Sequence, residues 1–184
     1  MTNTKTAGPC CLDRELIEKT ISFHGHNCPG LTIGIRAAEL ALTRLDPDNK
    51  PDWLCVTETD MCGVDAIQFI AGCSFGKGNL VHQDFGKSAF TFFDRAAKKG
   101  FRALFTDEGL DGETREERIK RLLQADLDTL FTICEVHAPP VRPARILKSI
   151  ACGNCGENTM ESRIRIFDGQ HYCLPCFNAV EQKI

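Results

Sequence analysis

An α+β core followed by a small unit built on paired cysteines is the architecture this sequence predicts. Three observations carry that reading. Helix-like and strand-like apolar patterns mix along residues 1–141 without a strict strand–helix–strand rhythm. HAPPVRPAR (137–145) packs three prolines into 139–143 and marks a boundary. Beyond it, residues 152–176 hold four cysteines in two C-x2-C pairs. The 184-residue chain thus divides into a lead (1–12), a core domain (13–141) and a linker with a C-terminal unit (142–184).

The lead is expected to be loosely packed. DRELIEKTISF follows, with Leu16, Ile17 and Ile21 at helical spacing. The segment 29–45 predicts a second helix with Pro29 in its first turn, where a missing N–H costs nothing. Gly30, Gly34, Ala38 and Ala41 form a stripe of small residues on it, suited to close approach by another backbone. WLCVTET (53–59) reads as a buried strand, VDAIQFIAG (64–72) as a short helix closed by Gly72, and CSFGKGNL (73–80) as irregular chain. FGKSAFTFFDR and GFRALF are strands. TREERIKRLLQADLDTLF predicts one helix over 114–131 with a Thr114/Glu117 capping box. On its solvated face, Glu116–Lys120 and Glu117–Arg121 are i,i+4 pairs.

The strongest chemical signal is Cys152-x2-Cys155, a gap of seventeen, then Cys173-x2-Cys176. Two residues between paired cysteines let both sulfurs meet one ion, and two pairs complete a tetrahedral Zn2+ shell. Between them, RIRIF, a type I′ turn at Asp168-Gly169 and QHYC predict a hairpin. A short helix then starts at the second knuckle, as in treble-clef or ribbon zinc fingers. Four thiolates leave no open position, so this zinc is structural and His171 is a surface residue.

A second cluster lies in FHGHNCPG (23–30). Cys28 stands at the start of the 29–45 helix, where unpaired N–H groups and the helix dipole favour a thiolate. His24 and His26 are close enough in sequence to share a proton or a metal ion with it. Cys62 precedes the 64–72 helix and Cys73 follows it. That helix is roughly 13 Å long, so Cys28 with Cys62 is the more natural pair. The local chemistry thus points to a pocket of His24, His26, Cys28 and Cys62, with a second metal ion expected at His24, Cys28 and Cys62. A buried histidine and a cysteine acting as a small hydrophobe are the alternative.

Gly72-x3-Gly76-Lys77 falls one residue short of a phosphate-binding loop, and Gly78 replaces the Ser/Thr that would hold Mg2+. Nucleotide hydrolysis is rejected; an anion cradle with Lys77 and a plain turn stay equal. DFG (84–86) lacks the companions of a kinase triplet.

Composition bounds the rest. Hydrophobic residues make up 42% and charged residues 26%, ordinary for a globular protein. Apolar runs break well before eighteen residues, so no membrane span is expected. MTNTKTAGPCC has no apolar core; no secretory signal is expected and a cytoplasmic location is the default. Eleven cysteines then point to metal or redox chemistry rather than disulfides. Residues 142–184 carry +2 of the net −3, leaving −5 for 1–141, too little to imply nucleic acid.

FHGHNCPGLTIGIRAAELAL, TDMCGVDAIQFIAGCSFGKGNL and DFGKSAFTFF, in that order, resemble the FmdE family, named for the E component of formylmethanofuran dehydrogenase. The resemblance covers roughly residues 13–147, and it implies a candidate pocket at the family's recurring motif positions, His24, His26, Cys28, Cys62, Cys73 and Lys77. It implies an α+β core forming an intertwined homodimer, with a zinc finger appended in some members. It also implies association with molybdenum or tungsten enzymes that reduce CO2 to a formyl group on methanofuran. Nothing in this chain resembles their metal-pterin subunit, so the implied role is accessory, within a larger enzyme complex, and not catalytic. The C-terminal spacing is similar to the zinc finger of the DksA/TraR regulators. The alternative is a regulatory or interaction protein whose finger contacts protein, RNA or DNA, with Arg142, Arg145, Lys148, Arg163 and Arg165 as basic candidates. A third reading is a redox enzyme cycling a Cys28–Cys62 disulfide.

Overall fold

The computed structural model describes residues 8–141 and 146–180, and the chain divides into two units between Arg142 and Pro143. Arg142, Arg145 and residues 1–7 of the lead lie outside the described residues.

The first unit is built on helix α2 (Pro29–Arg44), with Leu31, Ile35, Ala38, Leu40 and Ala41 among its buried residues. Helix α1 (Arg14–His24) precedes it, opened by the Asp13 side chain accepting from the Glu15 N–H and closed by Gly25 at φ 91°. A left-handed closing residue is what glycine accommodates without a Cβ penalty. Strand β1 (Trp53–Thr57) is buried along its whole length. Helix α3 (Gly63–Ala66) follows and runs on as a single wider π-helical turn over Ile67–Ala71.

Strands β2 (Leu80–His82), β3 (Ala89–Asp94), β4 (Lys99–Phe105) and β5 (Phe131–Val136) complete a five-stranded sheet in the order β2-β1-β3-β4-β5. The β1–β2 pair is parallel, joined through α3; the other three pairs are antiparallel. Cys55 faces Phe92 across β1 and β3, and Phe92 faces Phe101 across β3 and β4. These aromatics and α2 make one core. Burial of that apolar surface is the main force holding the unit.

Three expectations are corrected here. The helix expected over 114–131 ends early, as α4 (Arg115–Gln124), and resumes as the one-turn α5 (Leu127–Leu130). The break is tertiary in origin. The guanidinium of Arg36, fully buried and paired with Glu39 at 2.8 Å, collects the carbonyls of Leu123 and Ala125. The capping box at Thr114 and Glu117 forms, but Arg121 turns from Glu117 to Glu113 and Asp107, at 2.6 and 2.7 Å. Finally, part of the lead is packed: the Cys10 N–H donates to the Leu123 carbonyl at 2.7 Å, and Cys10 and Leu12 lie against the core.

The second unit holds two hairpins, β6 (Ser149–Ala151) with β7 (Asn158–Met160) and β8 (Ile164–Phe167) with β9 (Gln170–Cys173), then helix α6 (Leu174–Ala179). The β8–β9 turn has Asp168 at φ 47° and Gly169 at φ 74°, the double left-handed conformation of a type I′ turn. The described apolar side chains Met160, Ile166 and Phe167 are exposed, while Cys152 and Cys173 are buried.

Candidate metal centres

In the second unit, one ligand atom from each of Cys152, Cys155, Cys173 and Cys176 lies within 4.8 Å of all the others. Cys155 and Cys173 sulfurs are 3.9 Å apart. Two thiolates at Zn–S bonds of about 2.3 Å in a tetrahedron are about 3.8 Å apart, so the spacing suits one ion. The knuckles set it: the Cys173 N–H donates to the Cys152 sulfur at 3.3 Å, and the Asn154 amide to the Cys176 sulfur at 3.3 Å. N–H groups of Cys155 and Cys173 bring the Cys152 thiol down to about 6. At Cys155 the N–H of Glu157 also favours the thiolate, yet burial and the neighbouring sulfurs together push it up to about 12. Sulfurs this close cannot all ionise without a cation, and a divalent ion supplies what the site lacks. His171 is exposed on β9, outside this group.

In the first unit, His24, His26, Cys28 and Cys62 also bring four ligand atoms within 4.8 Å of one another. Packing of α2 against α3 is what joins them. A Cβ on Gly34 would run into the Gly63 carbonyl oxygen, and one on Gly30 would sit 3.3 Å from the Cys62 Cβ. Two backbones thus touch at Gly34 and Gly63, and the starts of both helices converge with Cys28 and Cys62 on them. The small-residue stripe was legible in the sequence; its partner, Gly63, was not.

Cys28 is the N-cap of α2, and its sulfur accepts the Leu31 N–H at 3.3 Å. Cys62 stands before α3 in helical conformation and makes no cap hydrogen bond. Burial, with the Cys28 thiol beside it, pushes the Cys62 thiol up, the reverse of what a helix start alone would do. His24 ends α1, and its Nε2 lies 3.8 Å from the Cys28 sulfur. Its Nδ1 is 2.7 Å from Asp65 Oδ2, and the Gln68 amide donates to Asp65 Oδ1 at 3.2 Å. A carboxylate on Nδ1 fixes the tautomer that leaves Nε2 free to bind a metal. The His26 ring lies 4.4 Å from that of His24 and is exposed. Arg115 at the start of α4 donates to the Asn27 carbonyl at 2.8 Å and ties down the loop between the helices. Sequence reasoning missed Asp65, Gln68 and Arg115, since only Asp65's place one turn after Cys62 hints at a role.

Cys73 and Lys77 are placed elsewhere. Cys73 is fully buried beside the Trp53 carbonyl, with its thiol pushed up to about 12 by burial. Lys77 donates to the Gly72 carbonyl at 3.0 Å. Both follow the far end of the helical segment 63–71, so neither joins the pocket.

Both units of the chain are similar to known proteins. Residues 23–133 match the family described as "FmdE, Molybdenum formylmethanofuran dehydrogenase operon", and residues 145–182 match the "Prokaryotic dksA/traR C4-type zinc finger". A curated relative from Archaeoglobus fulgidus, "Probable S-adenosyl-L-methionine-binding protein", is 29% identical over 194 aligned positions. That alignment takes in 88% of this chain but only 52% of the relative, so the chain spans about half of that relative's length. A solved structure from Syntrophus aciditrophicus, of an FmdE-like protein of the tungsten formylmethanofuran dehydrogenase type, shares the fold. It has a TM-score of 0.68 and 23% identity, covering 92% of this chain and 94% of that one. No described helix is long and apolar enough to cross a membrane.

Proposed function

This chain belongs to the FmdE family, and from that premise we propose that it is a metal-holding accessory protein to an oxidoreductase of the formylmethanofuran dehydrogenase type. Its core takes a second transition-metal ion at His24, Cys28 and Cys62, besides the structural zinc of the finger. The observation that carries this is the convergence of two thiols and two imidazoles within 4.8 Å, with Asp65 2.7 Å behind His24. Mixed sulfur and imidazole donors favour Zn2+ or a neighbouring first-row ion over Mg2+ or Ca2+. His26, the exposed donor, is the one an incoming small ligand would replace. An ion held by the other three then supplies a Lewis-acid position. The protein's part is to orient His24 through Asp65 so that Nε2 faces the thiols, and to keep the two thiols at converging helix starts.

Metal analysis of the purified chain tests this. Two ions per chain are expected, falling to one in Cys28→Ser, whereas one ion in both proteins would remove the second site. Asp65→Asn should weaken the second ion by about 10–100-fold and leave the finger's zinc in place. We propose further that the protein works as a homodimer within a larger assembly, which light scattering of the purified chain tests for the dimer.

A second reading, a regulatory contact made by the finger, draws on its match to the dksA/traR finger and on exposed Lys148, Arg163 and Arg165. Salt-sensitive retention on nucleic acid, lost on truncation after residue 141, would favour it.

A further inference from the structure

We propose that the core carries an anion site, separate from its metal donors, that binds the phosphoryl group of a small molecule. The site is a cleft of about 490 Å3 at the C-terminal end of the helical segment 63–71, lined by Lys50, Ala71, Gly72, Lys77, Asn79 and Arg95, with Pro51 at its edge. Among the described residues, three cations line it and no carboxylate does. They arrive from three places in the chain: the turn before β1, the glycine loop after Gly72, and the end of β3.

Two of these cations have partners that explain part of their placement. Lys50 donates to the Ile70 carbonyl at 3.1 Å and Lys77 to the Gly72 carbonyl at 3.0 Å. They cover the negative end of the helical segment, and each ammonium keeps two further donors. Arg95 has no such role. Its Nη2 is buried without a hydrogen-bond partner among the described residues. The neighbouring Asp94 carboxylate makes its hydrogen bonds elsewhere, accepting from the Asn49 amide at 3.0 Å and the Ala97 N–H at 2.9 Å. Nη2 is shut off from solvent, so an anion in the cleft would meet the other guanidinium N–H groups of Arg95, which lines it. Lys77 and Arg95 both line the cleft, and both oppose the upward shift of the buried Cys73 thiol.

The chemistry of the occupant follows. A phosphoryl group offers about two negative charges and three acceptor oxygens at neutral pH. It matches a guanidinium fork flanked by two ammonium groups better than a carboxylate does. The cleft volume lies in the range of small-molecule sites, about 300–1,000 Å3, so it accommodates a phosphorylated compound rather than a bare ion. This also decides the question left open at Gly72-x3-Gly76-Lys77: the loop contributes a lysine to an anion site, without the spacing that would hold Mg2+ for hydrolysis.

Titration calorimetry of the zinc-loaded full chain with inorganic phosphate and with pyrophosphate, at constant chloride, tests the proposal. Saturable binding at one site per chain is expected, weakened at least about tenfold by Lys77→Gln or Arg95→Gln. Lys120→Gln, a surface change on α4, should bind as the parent does. No saturable binding of either probe overturns the proposal. So does binding that Lys77→Gln leaves unchanged, as it would if the anion sat on a metal ion. Lys77 is exposed, so its variant decides the outcome even if Arg95→Gln fails to fold.

Discussion

The two donor clusters use four side chains each and are held in opposite ways. In the core, the His24, His26, Cys28 and Cys62 group rests on helices whose other faces are buried in a continuous apolar core. Gly34 and Gly63 meet backbone to backbone to set it. In the finger, the two hairpins and α6 leave Met160, Ile166 and Phe167 exposed, and the cysteines themselves supply the buried residues. The core therefore positions its donors before any ion arrives, whereas the finger's donors need the ion to stay together. An ion bound in the core would be a guest of its fold, whereas the finger's zinc is part of its unit's stability.

The largest effect expected from this contrast is in the finger. Exhaustive chelation, or Cys173→Ala, should unfold residues 146–180 while the core's amide protection stays intact. The loss is on the order of 10 kcal/mol of apparent zinc binding energy. Amide hydrogen exchange reads both units at once, and a finger still protected without zinc would break the comparison. Next is Gly34→Ala, which drives a Cβ into the Gly63 carbonyl. It should destabilise the core by about 3 kcal/mol or more in urea unfolding and leave the finger's zinc content unchanged.

A smaller effect concerns Glu58, which Arg102 grips through both its oxygens, at 2.6 and 2.8 Å. The Arg102 guanidinium holds this carboxyl below its ordinary value, against some desolvation. The folded value is thus the depressed one. Its contribution is fully present above the ordinary value of 4.5 and is lost as pH falls through the lower folded value. Arg102→Met should cost the core about 2–3 kcal/mol at pH 7 and flatten its acid-unfolding curve below pH 4.5. An unchanged acid profile would remove Glu58 as a source of acid sensitivity. The smallest effect is at Asp65. Asp65→Asn should change core stability by less than about 0.5 kcal/mol in metal-free protein, since the donors are placed by helix packing. A much larger loss would mean that the His24–Asp65 contact builds the fold rather than tuning a metal ligand.

The finger was almost wholly legible in the sequence. Both C-x2-C pairs, the I′ turn at Asp168-Gly169 and the helix after Cys173 are local patterns, fixed by residues a few positions apart. In the core, α1, α2, β1, β3 and β4 were legible for the same reason, as was Cys28 at a helix start. What was not legible depended on distant chain. Arg36 ends α4 by reaching the Leu123 carbonyl from 87 positions away. Arg121 leaves Glu117 for Glu113 and Asp107 because the loop before α4 folds beneath it. Arg95 joins Lys77 only because β3 ends beside the glycine loop.

Composition, spacing and turn chemistry determined that this chain is an α+β core with a four-cysteine finger, and which residue types could carry metal chemistry. Helix length already favoured Cys62 over Cys73 as the partner of Cys28; tertiary structure alone decided that Asp65 backs His24 and that Gly34 meets Gly63. The reason is physical. Local preference acts through one or two turns of chain, but a site is fixed where separate elements touch. Here that contact is two glycines whose missing side chains no sequence pattern had paired.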